Sequence, residues 1–242
     1  MIKKTILGLV LVVNFGFGAT FEEADRAYEN GDYKTALSML EDLANKGNIK
    51  AQYNLGLMYQ NGFGVEQDYI KAKEWYEKSA NQGDELAQYN LGVFYAIGQG
   101  VKQDYVKAKE WYEKSANQGN SKAQNNLGGL YSKGKLKQDY VKAKEWYEKS
   151  ANQGNDEAQK NLAILYEDGL GVKQNYKKAF EWYEKSANQG NIISQLNLGV
   201  LYYNGQGVKQ NYKKAKELFG KACDGGSQKA CDNYKILNQE GY

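Results

Sequence analysis

Few side chains in this sequence have the types and spacing that chemistry needs. Histidine is absent from all 242 residues, so a Ser-His-Asp triad, a Cys-His pair and a His-ligated zinc site are all excluded. Four serines recur in one setting: Ser79, Ser115, Ser150 and Ser186 each begin Ser-Ala-Asn-Gln, and the Ser-Asp-Asn and Lys-Thr-Gly signatures of serine β-lactamases are missing. No catalytic residue, metal ligand or cofactor site is assigned. Two cysteines remain, Cys223 and Cys231, without Cys-x-x-Cys spacing or a further thiolate. Asparagines supply the other recurring polar group, at Asn54, Asn90, Asn126, Asn161 and Asn197. An amide side chain both donates and accepts, so such a column suits gripping a peptide backbone. It equally suits satisfying a backbone group of a neighbouring turn, and both roles stay open.

What positions these residues is a repeat. Ala51-Gln52-Tyr53-Asn54-Leu55-Gly56 returns from Ala87, Ala123, Ala158 and Ser194, at intervals of 36, 36, 35 and 36 residues. A second phrase, Lys-Ala-Lys-Glu-Trp-Tyr-Glu-Lys-Ser-Ala-Asn-Gln-Gly, begins at Lys71, Lys107 and Lys142, with a near copy at Lys178. Five units follow, 51–86, 87–122, 123–157, 158–193 and 194–229. A shorter unit, 20–50, precedes them, and a capping helix, 230–242, closes the array.

Each unit reads as two helices. Ala51, Leu55, Met58 and Tyr59 give an apolar stripe on the first. A loop with Gly62 and Gly64 ends it, and Asp68 caps the second helix, as do Asp32, Asp104, Asp139, Asn175 and Asn211 in their units. The second helix is expected to bury Tyr69, Ala72, Trp75, Tyr76, Ser79 and Ala80, and Gly83 and its equivalents end it. The Trp75, Trp111, Trp146 and Trp182 column is expected in the core. Gly56 and its equivalents are read as points where a neighbouring helix comes too close for a side chain. One helix pair cannot bury its stripe alone; stacked pairs can, which makes an all-α solenoid of about six helix-turn-helix repeats. The third unit, with Gly128-Gly129 inside a helix and one loop residue fewer, is the expected weak point.

Residues 1–19 have the layout of a secretory signal peptide: Lys3 and Lys4, an apolar run from Thr5, then Gly16-Phe17-Gly18 and Ala19, with cleavage near Gly18 or Ala19. The run is too short to span a bilayer, so no transmembrane anchor is expected. Removing it leaves 30 basic against 29 acidic residues. Charges alternate in sign along each helix, as in Lys73–Glu77 and Glu74–Lys78, which marks a solvated face and argues against a nucleic-acid partner. In an oxidising compartment Cys223, late in one helix, and Cys231, early in the next, are expected to form a disulfide. A redox-active or zinc-binding pair is the alternative.

The phrase A-Q-x-N-L-G-x-x-Y-x-x-G-x-G-V, followed by D-Y-x-K-A-x-x-W-Y-x-K-S-A-x-Q-G, resembles the Sel-one-like repeat, a relative of the tetratricopeptide repeat. The resemblance covers residues 51–229; the first unit, lacking the double-glycine loop, is more similar to a plain tetratricopeptide unit, with Thr20 and Glu23 as its capping box. The cysteine pair adds a resemblance to the secreted cysteine-rich Sel-one-like proteins of ε-proteobacteria, which carry such a pair in nearly every repeat. That resemblance implies a β-lactamase-like or penicillin-binding label, with peptidoglycan or a β-lactam as ligand. The residues themselves point instead to a periplasmic or secreted scaffold that binds a protein or peptide on its concave face. Candidate ligand-binding residues are the asparagine column with Tyr53 and Tyr89, at a position that varies on to Asn125, Lys160 and Leu196. Position 60 varies too, as Gln60, Ala96, Ser132, Glu167 and Tyr203.

Overall fold

A computed structural model describes residues 19–242, which are helices joined by turns, with no strand among them. The expected signal segment lies outside the described residues apart from Ala19. The short first unit is α1 (Phe21–Glu29) and α2 (Tyr33–Asn45). The complete units pair α3 (Ile49–Asn61) with α4 (Tyr69–Asn81), and α5 (Glu85–Ile97) with α6 (Tyr105–Asn117). They continue as α7 (Ser121–Ser132) with α8 (Tyr140–Asn152), and α9 (Asp156–Asp168) with α10 (Tyr176–Asn188). The last pair is α11 (Ile192–Asn204) with α12 (Tyr212–Asp224), closed by α13 (Gln228–Gln239). Each helix packs on the one before and the one after it in sequence, the neighbour-only pattern of a solenoid.

The caps are where the sequence places them. Asp68 accepts from the backbone N–H groups of Ile70 and Lys71, and its equivalents cap every second helix. Thr20 and Glu23 form the full capping box. The first helices have caps of their own that the periodicity does not single out: Asn48, Asp84, Asn120, Asn155, Asn191 and Ser227.

Two expectations about packing need correction. The tryptophan column is only half buried. Each ring has its other face covered by the lysine three residues on, with Lys78, Lys114, Lys149 and Lys185 at 3.6, 3.9, 3.9 and 4.0 Å from the ring centres. Tyr69 is likewise half buried, so the fully enclosed ring of the second helix is Tyr76. Lys78 therefore serves Trp75 rather than Glu74, whereas Lys73–Glu77 does pair at 2.9 Å.

The close neighbour of Gly56 is the Tyr76 ring on the partner helix of the same unit, and a Cβ would lie 2.4 Å from it. Gly92, Gly128 and Gly199 face Tyr112, Tyr147 and Phe219 in the same way. Ala163 fills this position in the fourth unit and is fully buried, so the site demands a small residue and tolerates a methyl.

Gly129 is different. A Cβ there would meet only the Tyr147 hydroxyl, at an ordinary 3.8 Å. The glycine therefore weakens α7 with no packing reason, and Gly129→Ala should stabilise the chain by about 1 kcal/mol. The third unit should correspondingly be the least protected part of the array over 123–140. Hydrogen exchange on both chains checks this, and slower exchange in the parent than in the variant would contradict it.

Candidate functional site

The first helices form one layer, close enough that α5 touches α7 directly. The asparagine column and position 60 meet on this layer, around the tyrosine hydroxyls of the second helices. The Tyr76 hydroxyl donates to Gln60 Oε1 at 2.6 Å. Asn126 Nδ2 donates to the Tyr112 hydroxyl at 3.2 Å. Asn197 Nδ2 donates to the Tyr183 hydroxyl at 3.1 Å, which itself donates to Glu167 Oε2 at 2.6 Å. Tyr147 pairs with Ser132 at 2.9 Å, and Asn161 reaches across to Asn125 Oδ1 at 3.1 Å.

Asn126 and Asn197 thus hold a tyrosine hydroxyl of the preceding second helix, whereas Asn161 pairs with Asn125 because Ser132 takes the Tyr147 hydroxyl. Asn54 follows Leu40 instead, by the same 14-residue offset, and among the described residues its side chain makes no hydrogen bond. Burial pushes the hydroxyls of Tyr76, Tyr112 and Tyr183 well above the ordinary tyrosine pKa. They stay neutral and act as hydrogen-bond relays. Burial also raises the Glu167 carboxyl, against the hydrogen bond from Tyr183 that lowers it.

Tyr53, Tyr89 and Asn90 share a cleft of about 410 Å³ whose far wall includes Asn120 and Lys122. Asn126, Asn161 and Asn197 lie further along the layer, outside this cleft. The varying residues at position 60 choose the acceptor for each tyrosine hydroxyl: Gln60, Ser132 and Glu167 pair with it, and Ala96 does not.

The recurring serines are not available to a substrate. Each is fully buried and donates to a carbonyl at the start of the preceding first helix: Ser79 to Ile49 at 3.0 Å, Ser115 to Glu85 at 2.8 Å, Ser150 to Ser121 at 2.7 Å and Ser186 to Asp156 at 2.8 Å. Ser132, with Lys135 three residues on, does have Ser-x-x-Lys spacing, which attention to the recurring serines passes over. The two engage different partners: Ser132 pairs with Tyr147, while the Lys135 ammonium lies 5.4 Å from the Tyr105 ring centre.

Buried glutamines are the main polar feature that the sequence reading missed. Gln52 Nε2 donates to the Ala44 carbonyl at 3.1 Å and its Oε1 accepts from Gln82 at 2.7 Å. Gln88 with Gln118, Gln124 with Gln153, and Gln159 with Gln189 repeat the Gln–Gln bond at 2.8 Å each. The signal was present, since a glutamine follows the first buried residue in all five units, alanine in four and Ser194 in the fifth. In the last unit Ala222 and Gly225 stand in place of the serine and the second glutamine, and at the last joint Cys231 replaces the glutamine that reaches back to the preceding helix. There Cys223 and Cys231 form a disulfide, with Cα atoms 4.6 Å apart. Among the described residues no cluster of acidic or sulfur side chains could hold a metal, and no helix is long and apolar enough to cross a membrane.

The Sel1 repeat family model matches residues 49–84, 86–120, 121–155, 156–191 and 192–227. A protective antigen of uropathogenic Escherichia coli strains displaying an SLR fold is 38% identical, with a TM-score of 0.88 over 91% of this chain. The match takes in 48% of that protein, so the chain spans about half its length. A Sel1 repeat protein from Oxalobacter formigenes is 30% identical, with a TM-score of 0.82 over 90% of this chain and 89% of its own. Cysteine rich protein B of Helicobacter pylori is 30% identical over 55% of this chain and 96% of its own, with a TM-score of 0.44. No curated protein matches. Five tandem matches spanning most of the sequence, on helix pairs that stack as that repeat requires, make the chain a member of the Sel1 repeat family.

Proposed function

We propose that the chain is an exported scaffold that holds a protein or peptide segment along its layer of first helices. One observation carries the reading: the first-helix layer presents amides and hydroxyls in register from unit to unit, with variable side chains between them. Fixed polar groups suit a repeating backbone, and varying ones suit the side chains of one partner. Contact of α5 with α7 favours this layer as the inner, concave one, because same-layer neighbours close up on the inside of a curved stack. The disulfide supports an oxidising compartment, periplasmic or extracellular. Similarity to a protein described as a protective antigen fits export as well.

The hydrolase alternative is not adopted, because the recurring serines are enclosed and Ser132 and Lys135 each engage another residue. A nitrocefin assay on the oxidised chain tests it, and turnover that survives further purification would overturn the scaffold reading.

The two roles of the asparagine column separate by position. Asn126→Ala should cost about 1 kcal/mol of stability, because Tyr112 loses its hydrogen-bond partner. Asn54→Ala should leave stability unchanged, because its amide has no tyrosine to hold, and should weaken capture of partner from envelope extract. Thermal unfolding and quantitative pull-down measure the two effects. Unchanged capture by a chain lacking Asn54, Tyr53 and Tyr89 side chains would place the partner elsewhere.

A further inference from the structure

The last joint of the array holds a cavity of about 330 Å³, lined by Val200, Tyr203, Phe219, Lys229, Asn233 and Ile236. Its origin is visible in the repeat. Phe219 stands where earlier units have tyrosine, so the hydroxyl bridge that occupies this place elsewhere cannot form. Asn233 continues the asparagine column 36 residues after Asn197, and among the described residues its amide makes no side-chain hydrogen bond. Lys229 forms no ion pair within the described chain, and the lining contains no carboxylate. Lys229, Asn233 and Ile236 follow at i, i+4 and i+7 on α13, so they present one face. Ile236 leaves 48% of its surface exposed there.

We propose that this cavity binds the C-terminal residue of a partner peptide, one with an apolar side chain. The assignment rests on the scaffold reading of the first-helix layer and deepens it. Val200, Phe219 and Ile236 make an apolar floor for the side chain. Lys229 is the one cation at the rim and has no internal partner, so it complements a carboxylate. Asn233 can donate to that carboxylate or to the last backbone carbonyl. An acidic side chain would supply the charge without filling the floor, and an internal apolar residue would fill the floor without the charge. A chain terminus supplies both on one residue. The rim charge is solvated, so its share of the affinity should fall with salt.

The test uses the full, oxidised chain and a fluorescein-labelled Gly-Ser hexapeptide ending in leucine, as free acid and as C-terminal amide. Fluorescence polarisation at low salt should show the acid binding at least tenfold more tightly. Lys229→Gln should erase the acid–amide difference, and Val200→Phe, which fills the floor, should weaken both peptides while circular dichroism stays that of the parent. Lys229 is on the surface, so its replacement tests the site even if the cavity-filling variant fails to fold. Equal binding of acid and amide, sensitive to Val200→Phe, would overturn the carboxylate assignment and leave the scaffold reading standing. No binding of either peptide, or an acid preference that survives Lys229→Gln, would overturn the site; the scaffold reading is judged separately through Asn54.

Discussion

Gly100→Ala is expected to destabilise the array by about 3 kcal/mol, whereas Gly98→Ala, two residues earlier in the same loop, should cost about 1. Both glycines have left-handed backbone, with φ of 65° and 78°. Both substitutions therefore carry the penalty of an L side chain in that region, roughly 1–2 kcal/mol. They differ in what the new methyl meets. At Gly98 the nearest atoms are Gln103 Cβ and backbone N at 3.3 Å, which a small shift relieves. At Gly100 a Cβ would lie 2.7 Å from the Tyr69 carbonyl oxygen and 2.8 Å from its carbon. That is the backbone at the start of the preceding unit's second helix, and it cannot swing aside like a ring. Overpacking of this kind adds about 1–3 kcal/mol.

The second glycine is therefore a docking point between units, repeated as Gly64 on Tyr33, Gly171 on Tyr140 and Gly207 on Tyr176. The third unit has Lys135 at this position, just before Leu136, and lacks the glycine, a further reason to expect weakness there. A solenoid of nearest-neighbour joints does not unfold as one unit, so the readout should be hydrogen exchange resolved by helix, alongside thermal melting. Exchange should accelerate first in α4 to α6. Equal losses from Gly98→Ala and Gly100→Ala would show that backbone conformation alone, and not docking, sets the cost.

The parts of this fold legible in the sequence are those fixed within a few residues. Asp68 as a helix cap, Gly62 as a helix end and Ala51–Leu55–Met58 as a buried stripe all follow from local spacing, and all are found. The double-glycine loop was legible as a turn, but its contact with Tyr69 was not, because the partner lies in the preceding unit. The same limit explains the buried glutamines. Gln52 is polar and sits in a helix, which reads as surface until Gln82, 30 residues on, and the Ala44 carbonyl close around it. The tryptophans erred in the other direction: an aromatic at helical spacing reads as core, yet a lysine three residues on covers its outer face in all four units that carry one. At the candidate site, the asparagine column was visible from its period alone. Its division of labour depended on the residue 14 positions earlier, Tyr112 and Tyr183 before Asn126 and Asn197 but Leu40 and Phe219 before Asn54 and Asn233, and on Ser132 taking the hydroxyl of Tyr147 before Asn161. That offset means nothing until the crossing of second helix and next first helix is known.

Replacing both cysteines, as Cys223→Ala with Cys231→Ala, should release the C-terminal helix without loosening the first four units. Closing so short a loop constrains the unfolded chain by about 2.5 kcal/mol in the chain-entropy model. The structure adds a reason for the effect to be large locally. Every earlier joint between a second helix and the next first helix is held by a glutamine on the preceding alanine's carbonyl, as Gln88 on Ala80 at 3.1 Å. Cys231 replaces that glutamine at the last joint, which leaves the disulfide together with the packing of Ala230 and Leu237. Since α13 packs chiefly on α12 at the end of the array, its opening leaves the earlier helix pairs in place. Hydrogen exchange over Gln228–Gln239 should therefore rise by about the factor that 2.5 kcal/mol implies, close to seventyfold, while exchange in α3 to α6 stays at the parent level. Reduction of the parent with dithiothreitol should reproduce the pattern. Restoring the ordinary joint, with Cys231→Gln in a chain that also carries Cys223→Ala, should recover part of the protection without any covalent bond. Equal loss of protection along the whole array, or no recovery with the polar joint rebuilt, would mean that the disulfide acts on the unfolded chain as a whole rather than as a local substitute for those hydrogen bonds.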